Sequence, residues 1–176
     1  MRRTERHTAK HNANSLWHLY KTVPFLKVAK NFIFIQIGRY TPFFSVKNWI
    51  YRTFLRMKIG KKTSLALMVM PDTMFPERIS IGNNTIIGFN TTILAHEYLI
   101  EEYRIGDVVI GDEVMIGANT TILPGVEIGD GATVSAASLV NRDIPPGAMA
   151  GGNPVRIIYT AEQLLERKNG KMLKSN

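Results

Sequence analysis

The sequence predicts an all-β solenoid, a parallel β-helix of six-residue repeats, with a helical segment before it and a helix after it. Three observations carry that prediction. A branched aliphatic recurs every sixth position, at Ile81, Ile87 and Ile93, then at Ile110, Ile116, Ile122, Ile128, Val134 and Val140. Gly and polar residues usually follow it, as in Ile81-Gly82-Asn83-Asn84, and such residues suit tight corners where a positive φ is cheap. The run is long enough for stacked coils to bury one another's inward faces, which a single coil cannot do.

Composition bounds the rest. The chain of 176 residues has no Cys, which excludes disulfides and thiolate metal sites and fits a reducing compartment. No apolar run approaches the ~18 residues of a membrane span. The basic N-terminus is not followed by an apolar stretch with a small-residue cleavage site, so no signal peptide is expected. The formal charge of +8 is unevenly placed. Up to Lys62 there are fourteen Lys and Arg against one acid, Glu5; the rest of the chain holds eight basic and thirteen acidic residues.

Taken in order, residues 1–14 are polar and basic and read as a loose arm. Ser15 is placed to cap a helix through Tyr20. A helix over Phe25–Tyr40 sets Leu26, Ala29, Ile33 and Ile37 on one stripe, and a second helix is expected over Ser45–Met57. The hexad rhythm begins loosely at Ile59 and sharpens at Ile81. It breaks after His96, where eleven residues from Glu97 to Asp107 are too many for a coil corner. We read them as a loop extruded from a rigid scaffold, where binding and chemistry are usually placed. Thr160-Ala161-Glu162-Gln163 reads as a capping box opening a C-terminal helix that covers the last coil. The expected division is a basic, aromatic-rich helical segment over residues 1–58, the solenoid over 59–158 and a capping helix with tail over 159–176.

The stretches IGNNTIIGFNTTILAH, VVIGDEVMIGANTTILPGVEIGDGATV and NRDIPPGAMAGGNPVRII together resemble the acyltransferases of the maltose and galactoside O-acetyltransferase type, over roughly residues 59–160. The resemblance implies a left-handed β-helix and a homotrimer. It also implies acetyl-CoA as acyl donor in the groove between subunits, with a single His taking the proton of the acceptor hydroxyl. His96 matches that base. Of the four His, the other three (His7, His11, His18) lie in the basic N-terminal segment, and imidazole is suited to general-base work near neutral pH. Gly117 and Ala118 match positions whose backbone N–H groups would face the thioester. Ala136 matches a small residue beside the pantetheine arm. Asn141, Arg142 and Arg156 match positions near the nucleotide and its phosphates, for which Arg is suited. Ala118 stands where many relatives have Ser, and Met115 where many have Trp.

On the acceptor side the chain departs from the pattern. Sugar acetyltransferases carry an Asn one coil before the His; here Asp72 is the nearest polar group and is expected to contact the acceptor, with Glu97 beside His96. The expected activity is transfer of acetyl from acetyl-CoA to a hydroxyl of a sugar or cell-envelope glycan. The alternatives are N-acetylation of an amino sugar, or a catalytically silent trimeric scaffold. A zinc site of the carbonic anhydrase kind needs three His ligands, which one solenoid His per chain does not build, and no metal is expected.

The N-terminal segment has two readings. Cations interleaved with Trp17, Tyr20, Phe25, Phe32, Phe43 and Trp49 suit peripheral contact with an anionic membrane surface through residues 15–58. The same helices could instead pack on the acidic solenoid. Charge alone also fits nucleic acid, but no recognised module accompanies it and none is expected to bind. The expected location is cytoplasmic, either free or at the inner membrane surface.

Overall fold

The structure is a computed structural model that describes residues 2–8 and 13–172. The remainder of the expected arm (residues 1 and 9–12) and the last four residues of the expected tail lie outside the described residues.

Three parallel sheets form the faces of a stacked coil. Along the first face run Lys58–Ile59, Ile79–Ile81, Val108–Ile110 and Glu127–Ile128. The second holds Ser64–Leu65, Ile86–Ile87, Met115–Ile116, Thr133–Val134 and Met149–Gly151, and Arg156–Tyr159 closes it antiparallel. Met70–Pro71, Thr92–Ile93, Thr121–Ile122 and Leu139–Val140 make the third. The hexads set the register. Ile59, Ile81, Ile110 and Ile128 stack in one column, Leu65, Ile87, Ile116 and Val134 in a second, and Pro71, Ile93, Ile122 and Val140 in a third. These side chains are buried in one continuous core, each aliphatic contributing about 1.5–3 kcal/mol.

The corners separate two kinds of residue that the sequence runs together. Positive φ falls on corner residues, among them Asn84, Asn90, Asn119 and Gly131, where it is cheap, and also Met68 and Ala137. The Gly directly after the buried aliphatic serves close stacking instead. A Cβ on Gly88 would lie 2.6 Å from the Ala118 nitrogen, and on Gly117 2.3 Å from that of Ala136.

The break after His96 is a β-hairpin, His96–Tyr98 paired with Glu102–Ile105. The expected loose arm is, over Glu5–Thr8, a third strand pairing antiparallel with Glu102–Ile105. Its cations find acids in the acidic remainder of the chain: Arg3 bonds Asp143 and Glu127, while Glu5 receives Arg78.

Ser15 is not the cap of the next turn. Asn14 accepts from the Trp17 N–H and opens the turn Ser15–His18, whereas the Ser15 hydroxyl donates to Leu99 O. Helices α1 (Leu19–Thr22), α2 (Phe25–Tyr40) and α3 (Phe44–Phe54) follow. Ile35 and Gly38 on the inner side of α2 are buried, and Gly38 leaves room for the Tyr51 ring. The apolar stripe Leu26–Ile33–Ile37 faces outward. At the other end Thr160 and Gln163 exchange side-chain-to-backbone hydrogen bonds and open α4 (Ala161–Met172).

Candidate active site

His96 opens the first hairpin strand, where the chain leaves the third face. Its imidazole is half-buried, and Nδ1 lies 2.6 Å from Asp72 Oδ2. Asp72 comes one coil earlier, directly after Pro71, which pairs with Ile93. Register alone therefore brings the carboxylate beneath the chain that carries His96.

Asp72 is 1 % exposed. Oδ2 also accepts from the backbone N–H groups of Ala95 and His96, and Oδ1 from those of Met74 and Phe75. Burial alone pushes its carboxyl up, but the His96 imidazole and the N–H groups of Phe75 and Ala95 outweigh it and hold the group below the ordinary carboxylate value. A carboxylate only accepts, so the 2.6 Å contact requires Nδ1–H as donor and leaves Nε2 as the basic nitrogen. The rings of Phe75 and Tyr98 flank the imidazole at 6.0 and 5.4 Å between centroids.

This geometry corrects both expectations for the acceptor side. Asp72 does not meet an acceptor, because it is sealed from solvent and fully engaged; it orients His96. Glu97 is not open to an acceptor either. Arg2 grips both of its oxygens at 2.9 Å, and Arg104 approaches one at 3.3 Å. Glu97 ties the N-terminal strand to the hairpin that begins at His96.

The positions matched to the acyl donor fall into two groups. Met115, Gly117, Ala118 and Ala136 lie on the second face and at the corner leaving it, with Met115 and Ala136 exposed. Arg156, exposed on the closing strand, pairs with Gly151, which rests on Ser135 beside Ala136. Asn141 and Arg142 leave the third face two coils beyond His96. Asn141 Oδ1 is buried with no hydrogen-bond partner among the described residues. The Gly117 N–H donates to Val134 O, so the ladder takes it and only Ala118 of the expected pair is left to face a thioester. His96 and the Gly117–Ala118 corner occupy different edges of one chain. Among the described residues no group of three His, Cys, Asp or Glu side chains is placed to hold a metal ion.

The sequence singled out His96 and Asp72 but not the contact between them, nor the rings of Phe75 and Tyr98 beside the imidazole. Counting hexads back from Ile93 to Pro71 was the signal for Asp72.

The model of the bacterial transferase hexapeptide family (six repeats) matches residues 107–142. The chain is 75% identical over 167 residues to the Bacillus subtilis (strain 168) protein named "Putative acetyltransferase YvoF", covering 95% of this chain and 96% of that one. Among solved structures it resembles the hexapeptide-repeat acetyltransferase VCA0836 of Vibrio cholerae O1 biovar eltor, crystallised with acetyl-coenzyme A. The TM-score is 0.65 at 23% identity, covering 77% of this chain and 87% of that one. A maltose O-acetyltransferase of Clostridium difficile 630 superposes with a TM-score of 0.57 at 22% identity, over 77% and 86% of the two chains. The two solved structures match it in fold, and the fold, the hexads and the close relative agree: the chain belongs to the hexapeptide-repeat acetyltransferase family.

Proposed function

We propose that the chain is an acetyl-CoA-dependent O-acetyltransferase acting on a hydroxyl of a sugar or cell-envelope glycan. The observation that carries this reading is the Asp72–His96 pair, with Nδ1 tied to a buried carboxylate and Nε2 left to accept a proton. His96 Nε2 takes the acceptor hydroxyl proton as the oxygen attacks the thioester carbonyl carbon. The C–S bond breaks, the acetyl group passes to the oxygen, and the coenzyme A thiolate leaves and gains a proton. The base supplies about 10²–10⁴-fold, and holding both substrates together supplies much of the rest. The thioester is already activated, so no covalent enzyme intermediate is needed.

Small side chains at Gly117, Ala118 and Ala136 leave backbone approachable by an amide-rich arm. Exposed Arg142 and Arg156 suit phosphates, and the orphaned Asn141 Oδ1 awaits a donor. Asn141 and Arg142 share the His96 edge, whereas Gly117, Ala118, Ala136 and Arg156 belong to another edge of the chain, so a second copy is needed to bring the thioester positions to His96. A homotrimer of left-handed coils with the site in each groove meets that need. In this reading residues 59–158 form the catalytic unit, 1–58 and 159–176 flank it, and the enzyme works in the cytoplasm.

The test is acetyl-CoA-dependent thiol release across sugars, amino sugars and glycan fragments, for wild type and His96→Ala, with the mass in solution. Acceptor-dependent release by a trimer, lost in the variant, supports the reading. Release only with amino groups would replace O- by N-acetylation. A monomer that binds no coenzyme A would overturn it.

A further inference from the structure

The apolar stripe of α2 points away from the core. Leu26 is 79% exposed, Ile33 55% and Ile37 49%, while the same helix buries Asn31 against Thr73 O on its inner side. Ordinary amphipathic packing would do the reverse. The exposed surface extends in both directions. On α3, Trp49 (56% exposed) and Phe44 (48%) are open, Trp49 standing against Phe54, which is partly buried and stacks on Phe34; Phe44 shares a hollow with Lys61 and Lys62. Towards the site, Ser15 bonds Leu99 O and Ile100 O at the hairpin tip, bringing Trp17 (78% exposed) and Ile100 (74%) to the same end. That hairpin carries His96. A patch of this extent marks an interaction surface.

Charge identifies the occupant. From Arg6 to Pro71 the sequence holds no Asp or Glu, so every charged side chain of this segment is cationic. Aromatics and aliphatics set among Lys and Arg, with Glu101 at the hairpin tip and Glu77 paired to Lys27 as the acids beside them, suit an anionic bilayer surface, where the rings settle at headgroup level. No helix among the described residues is long and apolar enough to cross a membrane, so the contact is peripheral.

We infer that the outer face of the N-terminal helices and the tip of the His96 hairpin dock on an anionic membrane surface, presenting His96 to a lipid-linked or membrane-anchored acceptor. The delivery of an acceptor rests on the proposed acetyl transfer; the docking does not.

The test is flotation of the full chain with vesicles of equimolar phosphatidylglycerol and phosphatidylcholine, and with phosphatidylcholine alone. Wild type should bind the anionic vesicles, and less so as salt rises. L26S/I33S/I37S should weaken binding by about tenfold or more. K61Q/K62N, with Asn chosen because Lys62 has a positive φ, should weaken it by about thirtyfold at low salt. Both variants should keep the wild-type mass in solution and the wild-type rate on a soluble acceptor. Absence of wild-type binding to anionic vesicles overturns the inference. So does a triple variant that binds vesicles normally but falls apart as an oligomer, because the stripe would then be a subunit contact. Vesicle binding needs neither acetyl-CoA nor acceptor, so failure of the proposed chemistry leaves this result readable.

Discussion

Asp72 Oδ2 sits 2.6 Å from His96 Nδ1 and also accepts the backbone N–H of His96 itself. One carboxylate oxygen thus fixes both the ring and the chain that bears it. Asp72 makes no contact with solvent; in the proposed reaction it sets the tautomer and aims Nε2. Asp72→Asn retains the size but offers one acceptor oxygen where four backbone N–H groups and an imidazole are now served. We expect kcat to fall by ~10²-fold or more with KM for acetyl-CoA unchanged. Steady-state kinetics well below the unfolding temperature check this, and a change in KM alone would contradict an orienting role.

The hairpin that places His96 is held from outside by the first residues of the chain. Arg2 clasps Glu97 with both side chains about four-fifths buried, a setting in which hydrogen bonds to charged groups are worth about 1.5–3 kcal/mol. Arg2→Ala should let Glu5–Thr8 peel from Glu102–Ile105. Amide exchange across that ladder should then speed up by about 10–100-fold while the coils keep their protection. Hydrogen exchange by mass spectrometry reads both regions at once.

Period six made the faces of the coil legible because each hexad repeats one geometric environment, and Ile81, Ile110 and Ile128 occupy the same column for the same reason. The helix bounds Phe25 and Tyr40 were legible from the prolines and the periodicity around them. Its orientation was not, since a stripe states which side is apolar and not what covers it. Glu5–Thr8 looked like an arm because its partner strand is about a hundred residues away and no local pattern announces such pairing. Asp72 was misjudged for a related reason: sequence shows a polar residue at a corner but not that five hydrogen-bond donors converge on it.

Stacking imposes a test on the glycines. Gly88 is not at positive φ, so Ala there meets no backbone penalty of its own; the added methyl would meet the Ala118 nitrogen at 2.6 Å and Ile116 O at 2.7 Å. Neither backbone atom can move without opening the ladder, in which Gly88 N–H itself donates to Ile116 O. Gly88→Ala should therefore cost about 2–4 kcal/mol, whereas Ala at exposed Lys58 should cost under about 1 kcal/mol. Urea unfolding distinguishes the two.

Lys47 is fully buried, with Nζ donating to Leu65 O and Ala66 O. It fastens α3 to the first coil. Burial pushes the ammonium down to about 8, against about 10.4 in an unfolded chain. Below pH 8 both states hold the proton and the cost of burying the charge is fully present. Between pH 8 and 10 the unfolded chain keeps a proton that the folded chain has released, so stability rises with pH in that window. The gain attributable to Lys47 is about 2–3 kcal/mol between pH 7 and 10. Lys47→Met removes the titrating group and should flatten this component. Urea unfolding of both proteins across the window gives the difference; parallel pH curves for wild type and variant would show that the ammonium is not desolvated.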